Sequence, residues 1–236
     1  MHSFHFDHPI PLVSGDALPP CPAPQDCGEP LCRIDRQHAR IAYAASYRAQ
    51  GLSGATQGCY VRQGLVPMLM RAVAALPEAY TLLIFDAYRP IAVQQALYDQ
   101  YTATVRTAHP DWDDAHLLAA VDDFVALPVP NLLRPAPHTT GGAVDLTLCR
   151  SGVPLDMGTE FDDFTEKANT AWYENAAASA SPPRENRRLL YNVMSSAGFV
   201  NYEAEWWHYS FGDRLWARTF GKTPIYGYCA YDAGLL

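Results

Sequence analysis

Lysine is almost missing from this sequence. Only Lys167 and Lys222 occur among 17 basic residues, which face 25 acidic ones for a formal charge of −8. Nucleic acid and anionic membranes both reward a basic face, so neither is expected as a partner. No run of 18 apolar residues exists, which excludes a spanning helix by length. No basic residue precedes Arg33, so the charged start of an export signal is lacking and a cytoplasmic location is expected. Internal repeats and a regular βαβ alternation are also absent.

What is present suffices for a core. The 236 residues are 49% apolar and 18% charged, which excludes a disordered chain. A domain of this size buries roughly 70–75% of its unfolded surface. It does not need disulfides, so the six cysteines are expected to be free thiols.

Residues 1–32 hold seven prolines, three cysteines and three histidines. Proline this dense blocks helix and central strand, so 1–32 reads as an extended arm wrapped on a domain spanning 33–236. His2, His5 and His8 read as solvated tail histidines. Cys21, Cys27 and Cys32 lack the paired C-x2-C spacing of a zinc ribbon.

Helical patterns cover 62–76, 91–108, 113–127 and 184–197. Pro90 sits where a first helical turn tolerates it, and Gly198 sits where a helix closes. The third pattern carries Leu117, Leu118, Val121, Phe124 and Val125 on one stripe. Strand patterns cover 80–86, 143–149 and 206–211. The mixture predicts an α+β fold, with a small, mostly antiparallel sheet flanked by helices.

Four constellations carry chemistry. His138 stands in a Pro- and Gly-rich loop, and Asp145 follows seven residues later inside an apolar strand. A carboxylate there needs a partner. The pair reads either as two of three zinc ligands or as an Asp–His hydrogen bond. Glu205 and His208 lie three apart in Glu205-Trp206-Trp207-His208-Tyr209. A strand would put them on opposite faces, so a bend at the Trp pair must turn one of them. They read as a general base beside a metal ligand, or as chance polar groups on an aromatic core strand. Arg89, at a strand-to-helix junction, is either an oxyanion donor or a salt-bridge partner for Asp86. The acids of Asp156–Asp163 read either an ammonium or a helix start.

Taken together, DAYRP, HTTGGAVDLTL, DMGTEFDDF, NRRLL…GF and EWWHY resemble the D-alanyl-D-alanine dipeptidases. These zinc peptidases are related to zinc D-Ala-D-Ala carboxypeptidases and to hedgehog domains. The resemblance runs in order from about Tyr43 to Tyr209. It implies one zinc per chain on His138, Asp145 and His208, with Glu205 as catalytic base and Arg89 as oxyanion stabiliser. It further implies that Asp162 pairs with the dipeptide's ammonium and that Tyr43 lines the substrate pocket. The substrate implied is a dipeptide with a free N-terminus, handled by a monomer or homodimer. A zinc carboxypeptidase or endopeptidase acting on peptidoglycan stems, and a non-catalytic zinc module, are the alternatives. One departure stands out. The family motif begins Ser-x-His, whereas this chain has Ala136-Pro137-His138, leaving Thr139 or Thr140 to supply a hydroxyl.

Overall fold

A computed structural model describes residues 6–12, 19–122, 125–163, 165–175 and 182–230. The chain order is β1 (Leu31–Arg33), β2 (Ile41–Tyr43), α1 (Ser46–Ala49), β3 (Tyr60–Arg62), α2 (Leu65–Ala75), β4 (Tyr80–Asp86), α3 (Ile91–Ala108) and α4 (Asp114–Asp122). A short 3-10 turn, Pro137–Thr140, then leads into β5 (Ala143–Arg150), β6 (Val153–Pro154), α5 (Pro183–Ser196), β7 (Val200–Asn201), β8 (His208–Ser210) and α6 (Arg214–Phe220). Among the described residues no helix is long and apolar enough to cross a membrane.

The fold is α+β, but the main sheet is mixed rather than small and mostly antiparallel. Its six strands run β2-β4-β5-β8-β7, with β6 paired to β5, and a separate two-stranded sheet joins β1 to β3. β2 and β4 are parallel, whereas the other pairings are antiparallel. The connection from β2 to β4 contains α1, β3 and α2, which is the long crossover that parallel pairing requires. β2 has only three residues, too few to show a strand period in the sequence.

One face of the sheet holds the core. α2 places Leu65, Met68, Leu69, Ala72 and Val73, and α5 places Leu190, Val193 and Met194, against Leu82, Ile84, Val144, Leu146 and Leu148. Burying each large apolar side chain contributes about 1.5–3 kcal/mol. Alternation along β5 sends Asp145 and Thr147 to the other face. α3 and α4 share a smaller cluster of Tyr98, Val105, Leu117 and Val121. Leu118 of the predicted stripe is 43% exposed instead, and Phe124 lies outside the described residues.

A bulge then shapes the site. Ile84 pairs with Leu146 but Asp86 pairs with Asp145, so two steps along β4 match one along β5. By parity Asp86 would share the core face with Leu82 and Ile84; the extra residue turns it to the face of Asp145 instead.

Residues 25–29 and 224–229 are fastened to this region. The amides of Gln25 and Cys27 donate to the carbonyls of Pro224 and Ile225. Buried Arg62 donates to Thr140 O at 2.8 Å, Glu29 O at 2.5 Å and Asp26 Oδ2 at 2.6 Å. The amide of Cys229 donates to Thr139 O at 3.0 Å, and Tyr88 OH donates to Cys229 O at 2.8 Å. All six cysteines are unbridged. Titration of denatured, unreduced protein should therefore count six thiols; a count near zero would mean three disulfides.

Candidate active site

The site sits where β4 ends and where β5 and β8 begin. His138 is presented by the 3-10 turn, which Gly141 closes in the left-handed region at φ 72°. At Gly142 a Cβ would come within 2.6 Å of Phe211 O, so only glycine lets β8 approach this closely. Asp145 and His208 are direct partners across β5 and β8, which puts both on one face. Glu205 reaches the same place because β8 begins only at His208. The stretch before it is a turn, in which Glu205 N donates to Tyr202 O and His208 N to Glu205 O. This is the bend that the Glu–His spacing demands. Buried Trp206 and Trp207 hold the turn down, and the Asn201 amide clamps it by donating to the carbonyls of Glu205 and His208.

Three donor atoms converge there. His138 Nε2 lies 3.2 Å from Asp145 Oδ2 and 3.2 Å from His208 Nδ1, and His208 Nδ1 lies 3.0 Å from Asp145 Oδ1. Ligand atoms on a tetrahedral zinc with bonds of about 2.0–2.1 Å stand about 3.3–3.4 Å apart. All three residues are buried, and this is the one metal-type cluster among the described residues. The outer nitrogen of each ring is also held. His138 Nδ1 donates to Ala87 O at 2.8 Å. With His208 Nδ1 facing inward, its Nε2 donates to Ser210 Oγ at 3.2 Å, and Ser210 Oγ donates to Asp213 Oδ2 at 2.7 Å. Asp213 in turn caps α6 by accepting from Trp216 N. Such outer partners fix ring orientation and tautomer at metal sites. Two imidazoles and one carboxylate, each oriented from behind, fit a three-ligand zinc site with one position open.

The remaining groups ring this centre. Glu205 Oε2 is 3.7 Å from His208 Nδ1. Burial pushes the Glu205 carboxyl up, with Asp145 adding to it while His208 opposes, and a raised carboxyl is better matched to proton transfer near neutral pH. Arg89 donates from Nε to Asp86 Oδ2 at 2.8 Å, from Nη1 to Gln94 Oε1 at 2.9 Å and from Nη2 to Tyr47 OH at 3.0 Å. Burial works to lower the Arg89 pKa, but Tyr47, Asp86, Asp145 and Asp162 hold it above its ordinary value. Burial works to raise the Asp145 carboxyl, but the two imidazoles beside it hold it below the usual carboxylate range.

Asp162 also faces the cavity, with the hydroxyl of Tyr47 3.4 Å from its Oδ2. Burial, then Asp145 and Glu205, push its carboxyl up to about 7 despite Arg89. Its φ of 61° is left-handed, a conformation that costs a non-glycine residue roughly 1–3 kcal/mol. A strained, under-compensated carboxyl aimed into a cavity is the feature an incoming cation relieves.

These side chains line one cavity of about 590 Å³. Tyr43 does not. It lies on β2 and packs on the core, while Tyr47, four residues on in α1, is the tyrosine that reaches the cavity. A three-residue β2 followed at once by α1 shifts the presented face by four residues. Nor do Thr139 and Thr140 offer a hydroxyl: each donates backwards, to Ala136 O and Pro137 O. Ala136 itself lines the wall. The sequence reading missed Tyr47, Ser210 and Asp213. Spacing from His208 was the available signal for the last two.

The profile of the peptidase family described as D-Ala-D-Ala dipeptidase matches residues 56–225. The chain belongs to that family. Among curated dipeptidase relatives, a D-alanyl-D-alanine dipeptidase of Synechocystis is 34% identical over 218 residues, 84% of this chain and 88% of that one. One from Escherichia coli is 31% identical over 153 residues, 64% of this chain and 66% of that one. One from Enterococcus faecium is 29% identical over 158 residues, 64% of this chain and 72% of that one. A vancomycin-resistance D,D-pentapeptidase, VanY, solved in complex with Zn(II), aligns at TM-score 0.43 and 20% identity over 71% of this chain and 83% of that one. That likeness is too loose to carry any of the geometry above. As a member of the dipeptidase family the chain is a zinc metallopeptidase, and its donor set agrees.

Proposed function

We propose that this enzyme hydrolyses D-Ala-D-Ala, or a similar dipeptide with a free N-terminus, into two amino acids. The observation that carries the reading is the meeting of a zinc donor triad, a half-buried carboxylate base and a second, under-compensated carboxyl in one cavity. His138, Asp145 and His208 would hold the zinc. When bound, zinc supplies Lewis acidity toward water and the peptide carbonyl. Glu205 accepts the proton of the attacking water on its carboxylate and later gives it to the leaving amine nitrogen. Arg89, pre-positioned by Asp86, Gln94 and Tyr47, donates to the oxygen on which negative charge develops. Removing such a donor costs about 10²–10³-fold in rate. Asp162 binds the substrate ammonium, and this sets the length of peptide that fits.

A carboxypeptidase of peptidoglycan stems would have no use for an ammonium clamp, and this separates the two activities. D-Ala-D-Ala should be cleaved far faster than N-acetyl-D-Ala-D-Ala and L-Ala-L-Ala; equal rates on the acetylated peptide would favour the carboxypeptidase. Breaking a desolvated ammonium–carboxylate pair costs about 3–5 kcal/mol. Asp162→Ala and N-acetylation should each lower kcat/KM by that amount, and together by little more than either, because both delete one contact. Strictly additive losses would move the clamp elsewhere. The proposal includes a cytoplasmic site of action, supported by the six unbridged thiols, which suit a reducing compartment.

A further inference from the structure

The dipeptide has a second charged end, and the groups described so far do not account for it. Across the sheet the order is β4, β5, β8, with Asp145 on the middle strand. Arg89 follows β4 and is held by Asp86, Gln94 and Tyr47, the same tyrosine that touches Asp162. The ammonium clamp therefore belongs to the β4 side of the zinc triad. On the β8 side the cavity wall is made by α6, which brings Arg214 to the lining.

Of the arginines that line the cavity, Arg89 is already paired with a carboxylate. Arg214 has no carboxylate partner among the described residues; its Nη1 donates to Leu133 O at 3.1 Å and lies 3.5 Å from Pro22 O. The contact with Leu133 ties the side chain to the loop that continues into Ala136, where the wall carries a methyl group and no hydroxyl. The hydroxyls of Thr139 and Thr140 are committed to backbone carbonyls, so no neutral donor of that turn competes for an anion. Asp213, the residue before Arg214, is bound to Ser210, which is bound to His208. The base of the Arg214 side chain is thus fixed relative to the zinc triad through two hydrogen bonds.

We propose that Arg214 receives the substrate's C-terminal carboxylate, so that the enzyme measures a zwitterion between Asp162 and Arg214. This rests on the dipeptidase reading above. A guanidinium fork suits a carboxylate better than a single hydroxyl does, because it offers two parallel N–H donors and a full charge. The contact exists before and during the reaction alike, so it acts on KM more than on kcat.

The test compares D-Ala-D-Ala with its C-terminal amide, D-Ala-D-alaninamide, in the zinc-loaded wild type and in Arg214→Met and Arg214→Lys, with zinc content and melting temperature measured for each. Wild type should prefer the free acid by about a hundredfold in kcat/KM, as for a charge pair partly shielded from water. In Arg214→Met that preference should fall close to one, through a raised KM for the acid, and Arg214→Lys should restore part of it. An unchanged acid-to-amide ratio in Arg214→Met, or equal losses on both substrates, overturns the assignment. A wild type that cleaves acid and amide equally well also overturns it, while leaving the dipeptidase reading intact. A wild type that cleaves neither overturns the dipeptidase reading, and this assignment with it.

Discussion

Glu205→Gln should lower kcat on D-Ala-D-Ala by several orders of magnitude while the protein keeps its zinc. Glutamine has nearly the same size and keeps a carbonyl oxygen, so the turn before β8, which rests on backbone and Trp contacts, is undisturbed. What disappears is a site that accepts a proton. Proton transfer by a positioned group contributes typically about 10²–10⁴-fold, and here one carboxylate serves both the attack and the departure of the amine. KM should change little, because Glu205 meets the reacting atoms and not the charged ends of the dipeptide. Stopped-flow and steady-state rates, with metal content measured on the same samples, decide the matter. A near-wild-type kcat would make Glu205 a structural residue of the turn.

Replacing His138, Asp145 or His208 by alanine should remove most of the zinc and, with it, all useful activity. Each residue supplies one of three donors spaced 3.0–3.2 Å apart, and two donors cannot enclose the ion. Asp145→Ala carries a further cost. It removes the carboxylate between two imidazoles and leaves Arg89 Nη2, 3.9 Å away, with one less counter-charge. Elemental analysis that finds full zinc occupancy in all three variants would refute the ligand set. Asp213→Asn belongs to the same series but should be milder. It weakens the acceptor behind Ser210, and outer partners of this kind typically alter metal affinity about 10–100-fold. Chelator competition reads that difference without an activity assay.

Much of this was legible in the sequence where chemistry and local period agree. The run YTLLIFD is β4 and AVDLTLCR is β5, because apolar and β-branched residues leave few alternatives. His138, Asp145, Glu205 and His208 attract notice as polar groups inside apolar or aromatic surroundings, where they need partners. What depends on long-range registry was not legible. The bulge that turns Asp86 away from the core exists only relative to β5, and the parallel pairing of β2 depends on a crossover of nearly forty residues. Tyr43 and Tyr47 are chemically identical candidates, and only the break between a strand and a helix decides which one meets the cavity. The free hydroxyls of Thr139 and Thr140 looked available because a sequence does not show that a 3-10 turn consumes them.

The His138 turn is held by segments far from it in sequence, so the chain must be long before the turn has all its anchors. Thr139 O is held by the amide of Cys229, Thr140 O by Arg62, and Arg62 by Asp26 and Glu29. Every residue of the zinc triad has been synthesised by position 208, yet the turn that presents His138 has its last anchor at 229. A chain that stops between 208 and 229 carries all the reacting groups but not the last of these contacts on the turn. A chain cut after α6 keeps every reacting residue but loses the Cys229 contacts to Thr139 and Tyr88 that hold the turn presenting His138.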